Sequence, residues 1–205
     1  VPSLKELGFK GRGSKAAHEQ LTTDVTGIKE EGRAQSEKAA QEAEKVLKGY
    51  GLDEIGVIVA DRMRKRYRGE TGEAELGEVR EGEDAASGEY DPALKTVLLY
   101  SDGLIQEFKN KNKGKEPTEE EYVQLALEVL DHESLHALRN LDLFTAKEFE
   151  FLERKARDTR LPNSEMSYLD VAKRNYPELD QVAQMEEAVA ELVRDGLAGR
   201  LKIGG

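Results

Sequence analysis

The stretch Asp131-His132-Glu133-Ser134-Leu135-His136-Ala137-Leu138 reads His-Glu-x-x-His inside a run that is helical on every local criterion. At about 3.6 residues per turn, His132 and His136 fall on one face, one turn apart. Two imidazoles so placed can share one divalent ion, and Glu133 is chemically suited to take a proton from a water beside that ion. The chain has three histidines, and two of them stand here. The competing reading is a helix carrying two partly buried, hydrogen-bonded histidines.

Working outward, Pro117-Thr118-Glu119-Glu120-Glu121 predicts the start of this helix. Thr118 caps it, Glu121 closes the capping box, and the added acids suit the positive end of the helix dipole. Tyr122, Leu125, Ala126 and Val129 then recur at helical spacing, and the same row continues to His132, Glu133 and His136. The histidines therefore belong to the buried face. A buried polar group without a partner is costly, and a metal ion would supply one.

Earlier in the chain, Leu52 to Ala60 predicts a strand through Ile55, Val57, Ile58 and Val59, and Thr96-Val97-Leu98-Leu99-Tyr100 predicts a second, ended by Ser101-Asp102-Gly103. Residues 69–88, rich in Gly and Glu, predict turns around one weak strand near 75–79. Arg62, Arg64, Lys65, Arg66 and Arg68 form a basic island, read as a solvated face rather than an anion or nucleic-acid site. A short helix over 104–111 precedes the long one. Residues 1–27 read as a flexible arm in which His18 is a surface histidine, and 28–51 as a helix with a thin stripe of Ala39, Ala40, Ala43, Val46 and Leu47, stopped by Gly49 and Gly51. The main domain is expected over 52–205.

Composition narrows the chemistry. In 205 residues, 31 basic and 42 acidic side chains give a net charge of −11, which argues against a protein that tracks nucleic-acid phosphates. Cysteine is absent, so any metal must be held by nitrogen and oxygen. No apolar run approaches the ~20 residues of a membrane span, and no signal-peptide core is present; the chain reads as soluble, cytoplasmic or virion-associated. Its start at Val1 rather than methionine is read as release from a longer chain.

A catalytic zinc site needs three protein ligands and an open position. One route to the third is an extension of the motif, with Asp142 in the final place, although Arg139 stands where a glycine would let the chain turn. The other is a glutamate from a later helix. Thr145 and Glu148 open a helix to about 157, residues 164–175 can form another, and residues 179–197 a last, carrying Glu186-Glu187-Ala188-Val189-Ala190-Glu191. Glu187 and Glu191 lie one turn apart, so Glu187 can bind the metal while Glu191 accepts the free N–H of a ligand histidine. Asp142 or Glu186 would be the fourth protein ligand if the site were closed and structural.

His132-Glu133-Ser134-Leu135-His136 followed by Glu186-Glu187-Ala188-Val189-Ala190-Glu191 resembles the gluzincin metallopeptidases, the broad thermolysin-like class. More narrowly, His-Glu-x-x-His-Ala-Leu-Arg with Leu143-Phe144-Thr145 and Glu148 resembles zincin-like peptidase domains of phage and mobile-element polyproteins. The resemblance covers about residues 86–195, and the separation of His136 from Glu187 is longer than in thermolysin itself. It implies an α+β zincin-like fold: a small antiparallel or mixed sheet packed on the histidine helix, with a mostly helical C-terminal half. It also implies Zn2+ on His132, His136 and Glu187, with Glu133 as general base for peptide hydrolysis. The strand at 94–100, through Val97, Leu98 and Leu99, is implied to pair with extended substrate. Tyr168 and Tyr176 suit an oxyanion-stabilising role by their chemistry. The expected partner is a peptide or protein substrate, with a place in a phage polyprotein or virion. The alternative function is an inactive zincin-like interaction or structural domain, such as a virion component.

Overall fold

Two apolar runs, Gly-Val-Ile-Val-Ala at 56–60 and Thr-Val-Leu-Leu-Tyr at 96–100, form the centre of the sheet in a computed structural model of the chain. The structure describes residues 24–26, 28, 30–62, 64–68, 74–78 and 86–201. It is an α+β protein that divides into two compact units. One takes in Leu47–Asp53 and Asp131–Gly205, and the other includes Glu54–Leu130.

In the sheet-containing unit, β1 (Asp24–Thr26), β2 (Gly56–Ala60), β5 (Gly88–Asp91) and β6 (Thr96–Tyr100) form one mixed sheet in the order β1-β2-β6-β5. β2 and β6 are parallel, with Val57 opposite Val97 and Val59 opposite Leu99. These four side chains are at most 1% exposed, so the pair buries branched apolar groups of the kind that pack well on a pleated surface. β5 pairs antiparallel with β6 from the other side, Tyr90 opposite Val97.

This arrangement corrects the expectation that Val97, Leu98 and Leu99 would receive a substrate strand. β6 is hydrogen-bonded on both sides and has no free row of backbone groups. Among the described strands of this sheet, β5 and β1 lie at the edges. The expected arm is also corrected in part, since Asp24–Thr26 pairs in parallel with β2; the rest of that arm to residue 23, with His18, lies outside the described residues.

The basic island begins with Arg62, whose guanidinium lies 3.3 Å from Asp61 and 3.4 Å from Asp102. It continues as a strand, β3 (Arg64–Arg68), pairing antiparallel with β4 (Ala74–Glu78), the weak strand expected near 75–79. The register sets Arg64 opposite Glu78 and Tyr67 opposite Glu75.

α1 (Glu30–Tyr50) buries Ala39, Ala40 and Ala43, as its thin stripe predicts. It passes through Gly49 and stops at Gly51, whose φ of 76° closes the last turn: Leu52 N–H reaches Leu47 C=O at 2.9 Å and Gly51 N–H reaches Lys48 C=O at 3.0 Å. α2 (Ser101–Lys111) starts directly off β6, earlier than the sequence predicts. α3 (Glu119–Asn140) is the histidine helix, and its cap is the one expected. Thr118 Oγ1 accepts from Glu121 N at 3.2 Å, and Glu121 Oε2 accepts from Thr118 N at 2.8 Å. The Ser36 and Tyr122 hydroxyls, 3.3 Å apart and buried, join α1 to the first half of α3.

The sheet also packs on that half of α3. A Cβ at Gly88 of β5 would lie 2.6 Å from Val129 Cγ1 and 3.0 Å from Leu98 O, so only glycine permits the approach.

The other unit is helical. α4 (Ala146–Asp158), α5 (Tyr168–Asn175) and α6 (Gln181–Leu197) start at side-chain caps on Thr145, Ser167 and Asp180. They pack with the second half of α3 around Leu135, Leu152, Tyr168, Val189 and Leu192. Ala188 and Ala190 are fully buried on α6, and their small side chains let a neighbouring helix come close.

Gly103 is closely packed: a Cβ there would stand 2.1 Å from Ala86 O and 2.9 Å from Ser87 Cα. Both neighbours are backbone and cannot swing aside. Gly103→Ala is therefore expected to destabilise the fold by about 1–3 kcal/mol, read as a lowered midpoint in chemical denaturation.

Candidate metal centre

His132 and His136 stand one turn apart on α3, as helical spacing requires, and their rings are tilted 58° with centroids 5.1 Å apart. Their Nε2 atoms approach to 3.3 Å. Glu187, from α6, faces both: Oε2 is 3.3 Å from His132 Nε2, and Oε1 is 3.5 Å from His136 Nε2. His132 is 8% exposed, so water screens these charges little.

The far nitrogens are held as well. His136 Nδ1 is 2.8 Å from Glu186 Oε1, and His132 Nδ1 is 3.2 Å from Glu191 Oε1. The second contact lies off the direction of an aligned hydrogen bond, whereas the first meets it. Glu191 also has Arg194 on α6, its guanidinium 3.6 Å away. Glu186 faces Arg139, Nε 4.0 Å distant, whose guanidinium lies 4.0 Å over the Phe149 ring.

Electrostatics follows from this packing. Burial favours a neutral His132 ring, but Glu187 and Glu191, with the charge of Glu133, outweigh it and push its pKa up to about 10. Burial would raise the Glu187 carboxyl, yet the two imidazoles hold it below the usual carboxylate range. Two ring nitrogens and a carboxylate this close call for a positive charge among them. A proton on His132 is one solution and a metal cation is the other.

The donors fit the second solution. Two imidazole nitrogens and a carboxylate are ligands that zinc takes, and all three ligand atoms lie within 4.8 Å of one another. A tetrahedral ion with bonds of about 2.0–2.1 Å separates its ligand atoms by roughly 3.3–3.4 Å. The two Nε2 atoms, 3.3 Å apart, have that spacing, and each of them faces a different oxygen of the Glu187 carboxylate, at 3.3 and 3.5 Å.

The other residues singled out in the sequence divide. Glu133 is 9% exposed and close enough for its charge to act on His132. Glu186 is turned to Nδ1 of His136 and is not a fourth ligand. Asp142 sits in the turn after α3 at a φ of 54°, and among the described residues the cluster of ligand atoms consists of His132, His136 and Glu187.

Tyr168, expected as a catalytic phenol, is a correction: it is 2% exposed and donates to Asp195 Oδ2 at 2.5 Å. Asp195 also accepts from Arg200 Nε at 2.6 Å, so the Tyr168 hydroxyl serves a core network. Tyr176, the other phenol, ends α5, and its backbone C=O accepts from Gln184 Nε2 at 2.9 Å. Burial and then the charges of Glu187, Glu191 and Glu133 push its pKa up to about 12, which keeps it a proton donor.

The role of Glu186 was missed in the sequence, and a signal for it existed. His132 meets Glu191 while the later His136 meets the earlier Glu186, as antiparallel helices require. No family model matches the chain, and neither does any curated protein or solved structure. Among the described residues, no helix is long and apolar enough to cross a membrane.

Because the folded His132 pKa of about 10 stands above its ordinary 6.5, its pairing stabilises the metal-free fold fully below pH 6.5 and is lost as pH rises through 10. A metal must displace that proton. Zinc affinity is accordingly expected to rise by roughly tenfold per pH unit between about pH 6 and about pH 8, measured by chelator competition. A pH-independent affinity would contradict this protonation.

Proposed function

We propose that the chain is a zinc-dependent metallopeptidase of the gluzincin type, hydrolysing peptide bonds in extended polypeptide. The observation that carries this reading is the convergence of both Nε2 atoms, 3.3 Å apart, on the Glu187 carboxylate, with Glu133 beside His132. The resemblance of the two helical motifs to gluzincins supports the same conclusion.

His132, His136 and Glu187 would hold the metal, which when bound supplies a Lewis acid that acidifies water and polarises a carbonyl oxygen. Glu133 acts as the base. Its carboxylate takes a proton from the attacking water as the oxygen adds to the carbonyl carbon, then delivers that proton to the leaving amine as the C–N bond breaks. The products are a carboxylate and a free amine. Tyr176, kept protonated among the site's acids, is suited to donate a hydrogen bond to the developing oxyanion.

This reading is preferred to an inactive structural domain because the two groups best placed to close the site are engaged elsewhere or absent from it. Glu186 is committed to the far side of His136, and Asp142 is outside the cluster of ligand atoms.

The test is cleavage of unstructured peptides followed by mass spectrometry, with zinc content measured on the same samples. Glu133→Gln should keep about one zinc per chain and lose at least about 10²-fold in kcat. Tyr176→Phe should lose roughly 10²–10³ in kcat with KM little changed. Cleavage by Glu133→Gln at the wild-type rate would contradict the mechanism.

A further inference from the structure

The two histidines are supported unequally. Both Nδ1 atoms face carboxylates of α6, but the distances are 2.8 Å to Glu186 and 3.2 Å to Glu191. Only the first makes an aligned hydrogen bond. The side chain of Glu186 is also the more enclosed, 26% exposed against 39%.

Glu186 is steered as well as enclosed. Its other oxygen, Oε2, faces Arg139 Nε at 4.0 Å, and the Arg139 guanidinium is stacked 4.0 Å over Phe149. Phe149 is 5% exposed, which fixes the plane on which the guanidinium rests. The order Phe149, Arg139, Glu186, His136 is thus a chain of contacts running from the core of the helical unit to one imidazole.

The consequence lies in the tautomer. A neutral imidazole carries its proton on one nitrogen, and a carboxylate beside Nδ1 stabilises the form with the proton there. The Nε2 lone pair is then available on the side where His132 Nε2 and Glu187 stand. Such a contact orients the ring and makes Nε2 more basic, and loss of a contact of this kind typically weakens metal affinity about 10- to 100-fold.

We infer that Glu186 is a positioning residue that holds His136 as its Nδ1–H tautomer and is the stronger of the two carboxylate supports of the metal centre, with Arg139 and Phe149 orienting it. The inference rests on the metal-binding reading of this cluster and adds a function for a residue that the motif leaves unassigned. It also ranks the acids: of the three on α6, Glu187 binds, Glu186 supports more strongly and Glu191 less.

The experiment is long-range 1H–15N NMR of His136 in the metal-free protein, together with zinc affinity by chelator competition, for wild type, Glu186→Gln, Glu186→Ala and Glu191→Ala. Wild-type His136 is expected to carry its proton on Nδ1. Glu186→Ala should move it to a mixture of tautomers and weaken zinc binding by about 10- to 100-fold, more than Glu191→Ala does. Glu186→Gln, whose amide oxygen can still accept, should keep the tautomer and lose less affinity than Glu186→Ala.

A proton on Nε2 in the neutral wild-type ring would overturn the inference without any variant. So would a Glu186→Ala protein with wild-type tautomer and affinity within about twofold of wild type, since the expected loss is at least tenfold. Should Glu186→Ala fail to fold, the wild-type and Glu186→Gln spectra decide. A wild type that binds no zinc would instead defeat the metal reading, while the tautomer of His136 would still test the role of Glu186.

Discussion

The second half of α3 and α6 meet where three carboxylates of one helix face two imidazoles of the other. Glu186, Glu187 and Glu191 lie at hydrogen-bond or ion-pair distance from His132 or His136, and His132 is almost wholly removed from water. Burying such charges costs several kcal/mol per ion unless each is compensated. Compensation here requires a positive charge between the Nε2 atoms and Glu187, whether a proton or a metal ion. The proposed chemistry depends on the second.

The surrounding packing serves that encounter. Ala188 and Ala190 are fully buried and let a neighbouring helix approach α6 closely, and a larger side chain at either would press against the unit's core. Tyr50 donates to Asp131 Oδ1 at 2.5 Å, tying the residue just before His132 to the last residue of α1. Tyr168 and Arg200 converge on Asp195, so the C-terminal turn of α6 is held by buried polar contacts rather than by apolar packing alone. In the other unit, the first half of α3 is fixed by Ser36 on α1 and by the close approach of Gly88 on β5.

Much of this was legible because it is local. Thr118 with Glu121 and Thr145 with Glu148 announced helix starts that the structure contains, since a capping box involves residues only three apart. The pair of histidines and Glu187 were legible for the same reason, as helical spacing fixes which side chains share a face. Strand partnership was not. Val97, Leu98 and Leu99 form an unbroken apolar run, which suits a strand covered on both faces, and the reading of that strand as an edge overlooked this. β5 was hidden because Gly88-Glu89-Tyr90-Asp91 has neither alternation nor bulk. Tyr168 and Tyr176 carry the same phenol, and their separation into a core residue and one beside the acids depends on how α5 packs, which no local pattern encodes. Glu186 was missed for a different reason: the antiparallel order that sets Glu191 against His132 also sets Glu186 against His136, and that pairing was not followed through.

The central claim is that His132, His136 and Glu187 hold one metal ion with a position left open for chemistry. The most direct measurement is an anomalous difference map at the zinc edge from crystals of the zinc-loaded protein. The account predicts one peak bonded at about 2.0–2.2 Å to His132 Nε2, His136 Nε2 and a Glu187 oxygen, with no fourth protein ligand. A peak closed by a further protein side chain, or no peak at these residues, would contradict it.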